Sequence, residues 1–179
     1  MIYVFLANGF EECEALAPID ILRRAGFELK TVGVNGKIAV GSHNIPVTCD
    51  ITIDEAEFNN LEAIILPGGM PGTINLENNS KVQKFIDYSV DNGLLIGAIC
   101  AAPSILGHKN LLSGKKATCF PGFEKDLFGA DVLDTFVVCD GNIITAKGAG
   151  AAFQFGFELL SYLKNDEAAN DLKKQMMFE

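Results

Sequence analysis

The sequence LLIGAICAAPSIL, residues 94–106, decides how the rest of the chain is arranged. Its first six residues form a continuous apolar run, which is typical of a central parallel strand buried on both faces. Pro103 suits the first turn of a helix, where its missing N–H costs nothing. Cys100 therefore lies at a sharp strand-to-helix turn that presents its sulfur to a crevice. We expect the backbone N–H groups of this turn to lower the pKa of Cys100 and to hold an oxyanion.

The composition is that of one folded domain, with 179 residues of which 49% are hydrophobic and 21% charged. This length supports one sizeable core, so we expect a single domain over residues 1–179. The net charge of −9 argues against nucleic acid or an anionic membrane as a partner. The first residues lack a basic signal-peptide region, and no apolar run approaches the ~20 residues that span a bilayer. These features predict a cytoplasmic protein.

The five cysteines are odd in number and scattered, without a C-x-x-C pair. This pattern argues against a disulfide scaffold or a zinc site. We interpret Cys49 and Cys139 as small buried hydrophobes. Cys119 is also interpreted as a packing residue, with a resolving thiol as the alternative. Cys100 alone has a local sequence that favours a reactive thiol.

Strands and helices alternate along the chain. The predicted strands cover residues 2–7, 28–34, 37–40, 45–49, 63–66, 94–99, 115–119, 135–139 and 142–145. The predicted helices cover residues 11–24, 54–60, 80–92, 149–164 and 167–177, with a short helix after Pro103 and a helical turn around 123–128. Asp140-Gly141 is a strong two-residue hairpin signal. The alternation predicts an α/β sandwich with a mostly parallel sheet and one added β-hairpin.

Three loops are predicted to meet at the carboxyl edge of this sheet, where open parallel sheets form their sites. They are residues 8–14, residues 67–72 and the turn at Cys100. The sequence PGGMPG at residues 67–72 is dense in glycine, so its backbone can approach a ligand closely. It lacks the G-x-G-x-x-G spacing of a dinucleotide-binding loop.

Four motifs in this order resemble the ThiJ/PfpI superfamily, in the branch that holds the Parkinson-disease-associated deglycase. They are ANGFEECE at residues 7–14, LPGG at 66–69, AICAAP at 98–103 and KGAG at 147–150. The resemblance covers nearly the whole chain. It implies a flavodoxin-like three-layer sandwich of the class I glutamine amidotransferase type, and usually a homodimer.

The resemblance also assigns roles to individual residues. It implies that Cys100 is the nucleophile and Glu14 its carboxyl partner. It implies oxyanion-hole amides at Gly69 and Ala101, with Gly68 in the same substrate-binding loop. The chemistry of the pair agrees, since a carboxyl group beside a thiolate is a like-charge pair that shares one proton. We therefore expect a raised pKa for Glu14, which can then move a proton during turnover.

The sequence departs from the family at one important position. Where many members carry a histidine after the strand that follows the elbow, this chain has Phe120. His108 lies ~12 Å from Cys100 along a helix axis. His43 approaches the crevice only if residues 37–49 fold over it or over a partner subunit, and it is otherwise an exposed turn histidine. A cysteine peptidase is therefore disfavoured.

Two functions remain open at this stage. The first is a glyoxalase- or deglycase-like enzyme that acts on methylglyoxal or on its protein and nucleotide adducts, without metal or organic cofactor. The second is a redox-responsive stress protein or chaperone, in which Cys100 is the oxidation sensor. The missing histidine favours the second function, whereas the intact oxyanion loop favours the first.

The first helix carries more apolar residues than one buried face requires. We expect Leu16, Ile19 and Leu22 to pack on the sheet, which leaves Ile21 and Ala17 pointing elsewhere. An apolar patch of this kind is typical of an interface. The sequence therefore predicts a two-fold homodimer through this helix.

Overall fold

The computed structural model describes residues 1–178 and contains eleven strands. In chain order these are β1 (Ile2–Leu6), β2 (Leu29–Gly33), β3 (Ile38–Val40), β4 (Pro46–Thr48), β5 (Ile51–Thr52), β6 (Ala63–Leu66), β7 (Leu95–Ile99), β8 (Lys116–Ala117), β9 (Asp131–Val132), β10 (Val137–Asp140) and β11 (Ile143–Ala146). The helices are α1 (Glu12–Arg24), α2 (Gly72–Glu77), α3 (Ser80–Asp91), α4 (Pro103–His108), α5 (Ala152–Leu163) and α6 (Asp166–Gln175). Short 3-10 turns cover Glu124–Asp126 and Ala149–Ala151. None of the helices in residues 1–178 combines the length and hydropathy needed to cross a membrane.

Seven strands form one sheet in the order β10-β11-β7-β6-β1-β2-β5. Every neighbouring pair is parallel except β10 and β11, which form the hairpin predicted across Asp140-Gly141. Strands β3 and β4 form a separate antiparallel hairpin, and β8 pairs with β9. The predicted α/β architecture, with a mostly parallel sheet and an added hairpin, is confirmed.

Strand β1 shows why the sheet is covered on both faces. Ile2, Val4 and Leu6 pack in a core with residues of α1, α5 and α6. Tyr3 and Phe5 point the other way, into a core with residues of α2, α3 and α4. Because side chains alternate along a strand, a continuously apolar sequence fills both cores. Each fully buried aliphatic or phenyl side chain contributes about 1.5–3 kcal/mol.

The parallel register brings three loops to one edge of the sheet. Val4 of β1 pairs with Ile65 of β6, and Leu66 of β6 pairs with Ala98 of β7. These three strands run in the same direction and end nearly level, so the segments that follow them are neighbours. They are the three loops predicted to form the crevice.

The structure differs from the predicted elements in the segments that pack least regularly. Strands β5 and β9 and helix α2 were not predicted, and residues 54–60 form turns and loop instead of the predicted helix. In this loop Phe58 packs on Phe85 and Tyr88, with ring centroids 4.4 and 4.7 Å apart. Glu55 accepts hydrogen bonds from the backbone and hydroxyl of Thr52 at 2.7 and 2.8 Å. Tertiary packing and this local turn therefore override a weak helical preference.

Helix α1 is buried by two elements, not one. Ile21, predicted to face outward, is fully buried against α5, where a Cβ on Gly156 would lie 2.5 Å from Ile21 Cδ1. Leu16, predicted to pack on the sheet, is 39% exposed. That part of the interface prediction is wrong, because α5 covers a second face of the helix.

Candidate active site

Cys100 lies at the elbow between β7 and α4, as predicted. Its φ is +66°, in the left-handed region that non-glycine residues rarely adopt. Two backbone hydrogen bonds hold this conformation: its N–H donates to Ala146 O at 2.8 Å, and its carbonyl accepts the N–H of Phe120 at 2.8 Å. Pro103 then opens α4. The strained turn presents a half-buried sulfur at the edge of the sheet.

Glu14 lies in the first turn of α1 and is 1% exposed. Its Oε2 accepts the N–H of Gly68 at 3.0 Å, and its own N–H donates to the capping Glu11 carboxylate at 2.7 Å. A Cβ on Gly68 would lie 2.5 Å from Cys100 Cβ and 2.6 Å from Glu14 Oε2. The glycine is thus required for the close approach of the thiol-bearing turn and the carboxyl group.

The pKa of Glu14 is raised to about 7, and burial is the main cause. A hydrogen bond from the Cys100 thiol opposes this rise, the charge of Glu11 adds to it, and the Gly68 amide opposes it slightly. The predicted direction is confirmed. At neutral pH this carboxyl group is close to half ionised, which suits a group that accepts and returns a proton.

The pKa of Cys100 is raised to about 12, first by burial and then by the charge and hydrogen bond of Glu14. The amides of Gly69 and Ala101 lower it, but by less. The predicted acidic thiol is therefore wrong. Helix α4 has six residues, so its dipole is small, whereas the like charge is adjacent. Two acidic groups buried side by side do not both ionise readily, so each opposes the ionisation of the other.

The predicted loop residues divide between two tasks. The N–H groups of Gly69 and Ala101 interact with the Cys100 sulfur, as an oxyanion site beside that sulfur requires. The N–H of Gly68 is instead donated to Glu14, so it holds the carboxyl group. Gly69 has a φ of +87°, which glycine adopts without strain.

Both histidines pair with carboxylates other than Glu14. The imidazole of His43 is 69% exposed and lies 2.8 Å from Glu12 Oε2. His108 Nδ1 lies 2.5 Å from Glu77 Oε1, at the far end of α4. The β3–β4 hairpin does fold over the start of α1, as one reading of the sequence allowed, but His43 is held there by Glu12.

Phe120 lies in the loop after β8, the strand that follows the elbow, as the sequence analysis predicted. Its N–H donates to Cys100 O, and its ring is 48% exposed. A Cβ on Gly148 would meet the ring at 3.2 Å. The chain therefore has a hydrocarbon ring beside the elbow, at the position where the sequence analysis compared it with a titratable histidine.

The other cysteines differ in their burial. Cys49 and Cys119 are buried, as predicted, and burial followed by Glu124 and Asp126 raises the pKa of Cys119 to about 11. Cys139 is exposed, so its predicted burial is wrong. It lies on β10, the strand at the edge of the sheet, and the alternation of the strand turns it outward.

Glu12 is the residue that the sequence analysis missed. It is 5% exposed, and its carboxylate accepts the N–H of His43 at 2.7 Å and lies 3.3 Å from Ser42 Oγ. Burial raises its pKa, but the hydrogen bonds from His43, Ile45 and its own backbone together outweigh burial and lower it. The sequence signal was GSHN at residues 41–44, since Gly41 makes room for this carboxylate.

Glu11, Glu12 and His43 place one possible ligand atom each within 4.8 Å of one another. Such spacing can hold a cation. Glu12 and His43 are already bonded to each other, however, and Glu11 caps α1. The cluster is therefore accounted for by the docking of the hairpin on the helix.

The fold and site together define a class: α/β sandwiches with a cysteine at the turn after a central parallel strand and a buried glutamate against it. The DJ-1/PfpI family profile matches residues 1–162, and the chain belongs to this family. It is 33% identical over 177 residues to Protein dj-1beta of Drosophila melanogaster, covering 97% of this chain and 95% of the relative.

Solved structures show the same similarity. A cysteine-to-alanine mutant of a DJ-1 superfamily protein from Salmonella typhimurium is 34% identical, with a TM-score of 0.93 over 98% of this chain and 97% of that one. Toxoplasma gondii DJ-1, solved in an oxidized form, is 31% identical with a TM-score of 0.94, over 98% of this chain and 97% of that one.

Proposed function

We propose that this protein is a cysteine-dependent enzyme that acts on small reactive carbonyls, such as methylglyoxal, or on their adducts with proteins and nucleotides. The observation that carries the proposal is the pair formed by Cys100 and Glu14. The carboxyl pKa of about 7 makes Glu14 a suitable proton acceptor for a thiol that does not ionise by itself. Membership in the DJ-1/PfpI family supports it.

In the first step Cys100 Sγ bonds to the aldehyde carbon, and the thiol proton passes to Glu14. The carbonyl π electrons move to oxygen, and the N–H groups of Gly69 and Ala101 stabilise the resulting oxyanion. Return of the proton from Glu14 to that oxygen gives a neutral hemithioacetal. The high thiol pKa is thus compatible with attack, because ionisation and bond formation occur together.

The rest of the reaction needs no external oxidant. Transfer of the hydrogen from the aldehyde carbon to the neighbouring ketone carbon, with Glu14 moving protons, oxidises one carbon and reduces the other. The product is a thioester on Cys100, and one water molecule hydrolyses it to a 2-hydroxy acid and the free thiol. For adducts, Cys100 Sγ bonds to the adduct carbon while its bond to the nitrogen or sulfur of the modified molecule breaks, and Glu14 passes the thiol proton to the departing amine or thiol, which gives the same hemithioacetal.

Turnover of methylglyoxal to lactate by the wild type and by Cys100→Ser tests this proposal. We expect loss of at least ~10³-fold in kcat/KM in the variant, because its hydroxyl is a far poorer nucleophile. Cys139→Ser is the matched control, because this exposed thiol lies on the edge strand β10. The control should retain activity. Equal rates in Cys100→Ser and the wild type would eliminate the proposal.

A second function, oxidation sensing, is favoured by the relative solved in an oxidized form. Here a peroxide would transfer one oxygen to Cys100 sulfur and leave as water, and a second peroxide would give the sulfinic acid. A protonated Glu14 can donate a hydrogen bond to the oxidised sulfur. Mass spectrometry after peroxide treatment should find two added oxygen atoms on Cys100, and unmodified Cys100 would exclude this function.

We also propose a homodimer through α1. Cys13, Leu16 and Ala17 lie on one face of this helix and are exposed or half-buried. Sedimentation equilibrium should give about twice the chain mass of 19.2 kDa, and Leu16→Glu should give a monomer. A wild-type mass near 19.2 kDa would refute the dimer.

We place the protein in the cytoplasm. The five cysteines are free in the described residues, and a reducing compartment maintains them in that state.

A further inference from the structure

A cavity of about 310 Å³, which we call the Phe120 cavity, is bordered by Phe120, whose N–H donates to Cys100 O. Its walls are Phe120, Pro121, Phe136 and the backbone and side chains of residues 147–151. The last of these segments is the loop between β11 and α5. The cavity is thus built from three segments: the loop after β8, the residue before β10 and the loop after β11.

The walls of the Phe120 cavity are mainly hydrocarbon. The rings of Phe120 and Phe136 are 48% and 57% exposed, and small residues line the floor. Lys147 is the one charged residue on its wall within the part of the chain that the structure describes, and its ammonium is paired with Asp134. An apolar group is therefore the ligand that this surface suits.

Gly148 lies on the wall of the Phe120 cavity and also faces Glu14. A Cβ at this position would lie 3.2 Å from the Phe120 ring and 3.9 Å from Glu14 Oε1. The missing side chain leaves that space open between the carboxyl group and the ring. Phe120 itself is tied to the reacting residue, since its N–H donates to Cys100 O.

We propose that the Phe120 cavity is the subsite for the substituent on the ketone carbon, and that the preferred substrates are α-oxoaldehydes with an aryl or bulky alkyl group. This inference rests on the proposed carbonyl chemistry of Cys100. In this proposal the aldehyde carbon is bonded to Sγ, its oxygen faces the amides of Gly69 and Ala101, and the next carbon extends toward the open space at Gly148. A methyl group there leaves most of the cavity empty.

The size of the cavity agrees with an aryl group. An apolar cavity of about 150 Å³ accommodates benzene, so about 310 Å³ holds a phenyl ring with room for a ring substituent. One methylene group in an apolar pocket changes kcat/KM by roughly 10- to 200-fold. The difference between methyl and phenyl should therefore be large enough to measure.

The test compares kcat/KM for phenylglyoxal with that for methylglyoxal. In the wild type we expect a ratio of at least about 10 in favour of phenylglyoxal. Phe120→His and Phe136→Ala should each lower this ratio several-fold, because they remove apolar contact with the ring. A wild-type ratio of one or less, or a ratio that neither variant changes, would overturn the subsite.

Tyr162→Ala is the matched control for removal of an exposed aromatic ring. Tyr162 is 45% exposed and lies about 16 Å along α5 from Ala151 at 1.5 Å per residue. In Tyr162→Ala the ratio of kcat/KM for phenylglyoxal to that for methylglyoxal should equal the wild-type ratio. A drop in this control as large as in Phe136→Ala would assign the effect to general destabilisation and overturn the subsite.

A binding measurement separates this inference from the proposed function. The 2-hydroxy acids corresponding to the two aldehydes are mandelate and lactate, and their Kd values are measured calorimetrically on Cys100→Ser. We expect mandelate to bind at least about 10-fold more tightly than lactate. Adding Phe136→Ala to Cys100→Ser should remove this difference in Kd. If neither aldehyde is turned over, the proposed function fails; if the two acids bind equally, the subsite fails whether or not turnover occurs.

Discussion

Two glutamates in the first turn of α1 are both buried and have opposite electrostatics. The pKa of Glu12 is lowered, whereas that of Glu14 is raised to about 7. Glu12 accepts hydrogen bonds from the backbone and ring of His43 at 2.7 and 2.8 Å, with Ser42 Oγ at 3.3 Å. Glu14 has one backbone donor, Gly68, and a weakly donating thiol.

Hydrogen-bond donors, and not burial, therefore decide which of the two carboxylates stays charged. Burial is the largest single influence on both groups and raises the pKa of both. At Glu12 the hydrogen bonds together exceed the effect of burial, whereas at Glu14 the fewer hydrogen bonds do not. One residue therefore anchors the β3–β4 hairpin, and the other is available to exchange a proton.

The largest expected effect is on turnover. Glu14→Gln should lower kcat for methylglyoxal by about 10²- to 10⁴-fold, because the amide fills the same space but cannot accept the thiol proton. Glu12→Gln, two residues away, should stay within a few-fold of the wild type. Steady-state kinetics on both variants checks this, and equal losses in the two would erase the functional distinction between them.

Stability should depend on pH through Glu14. Its folded pKa lies above the ordinary 4.5, so its contribution is fully present below pH 4.5 and is lost as the pH rises through about 7. This loss approaches 3 kcal/mol in the free energy of unfolding, by order of magnitude. Urea unfolding at pH 5 and pH 8 should show this loss of unfolding free energy in the wild type and not in Glu14→Gln. The same pH dependence in both proteins would mean that Glu14 stays ionised.

Glu12→Gln should lower stability more than activity. At pH 7 we expect a loss of about 1–3 kcal/mol, because charge-assisted hydrogen bonds to His43 become neutral ones. Urea unfolding measures the loss, and hydrogen exchange should locate it in residues 38–48. A neutral substitution would show that the carboxylate does not anchor the hairpin.

The smallest effect is expected for His43→Ala. Contact with Glu12 raises the pKa of this imidazole, so its stabilising charge is present below pH 6.5 and is lost as the pH rises through the folded pKa. The variant should differ from the wild type in melting temperature at pH 5.5 and less at pH 8.5. Because the imidazole is exposed, a change of several degrees at pH 8.5 would indicate another role for His43.

Periodicity and local turn chemistry were enough to predict the scaffold. The apolar strands, the Asp140-Gly141 hairpin and the elbow at Cys100 all follow from local sequence, and the loops meet because parallel strands end at one edge. Residues 54–60 and Ile21 were wrongly predicted because their environment comes from distant segments, Phe85 and α5. Long-range packing of this kind leaves no short-range pattern.

The electrostatics of the site could be predicted only in part. The raised pKa of Glu14 was predicted in direction, but its main cause is burial, and the contact with the Cys100 thiol opposes the rise. The pKa of Cys100 depends on the balance between burial, a like charge and two amides, and the sequence analysis weighted the amides too heavily. Glu12 was missed because its partner His43 is 31 residues away in the chain.

A carbon-13 NMR titration of the side-chain carboxyl groups, with Glu12 and Glu14 observed in one sample, shows directly whether Glu14 can carry the proton of Cys100. We predict a midpoint for Glu14 near pH 7 and one for Glu12 below 4.5. Glu14→Gln and Glu12→Gln assign the two resonances. If both carboxyl groups titrate below pH 5, Glu14 is a permanent anion, and it cannot be the proton carrier for Cys100.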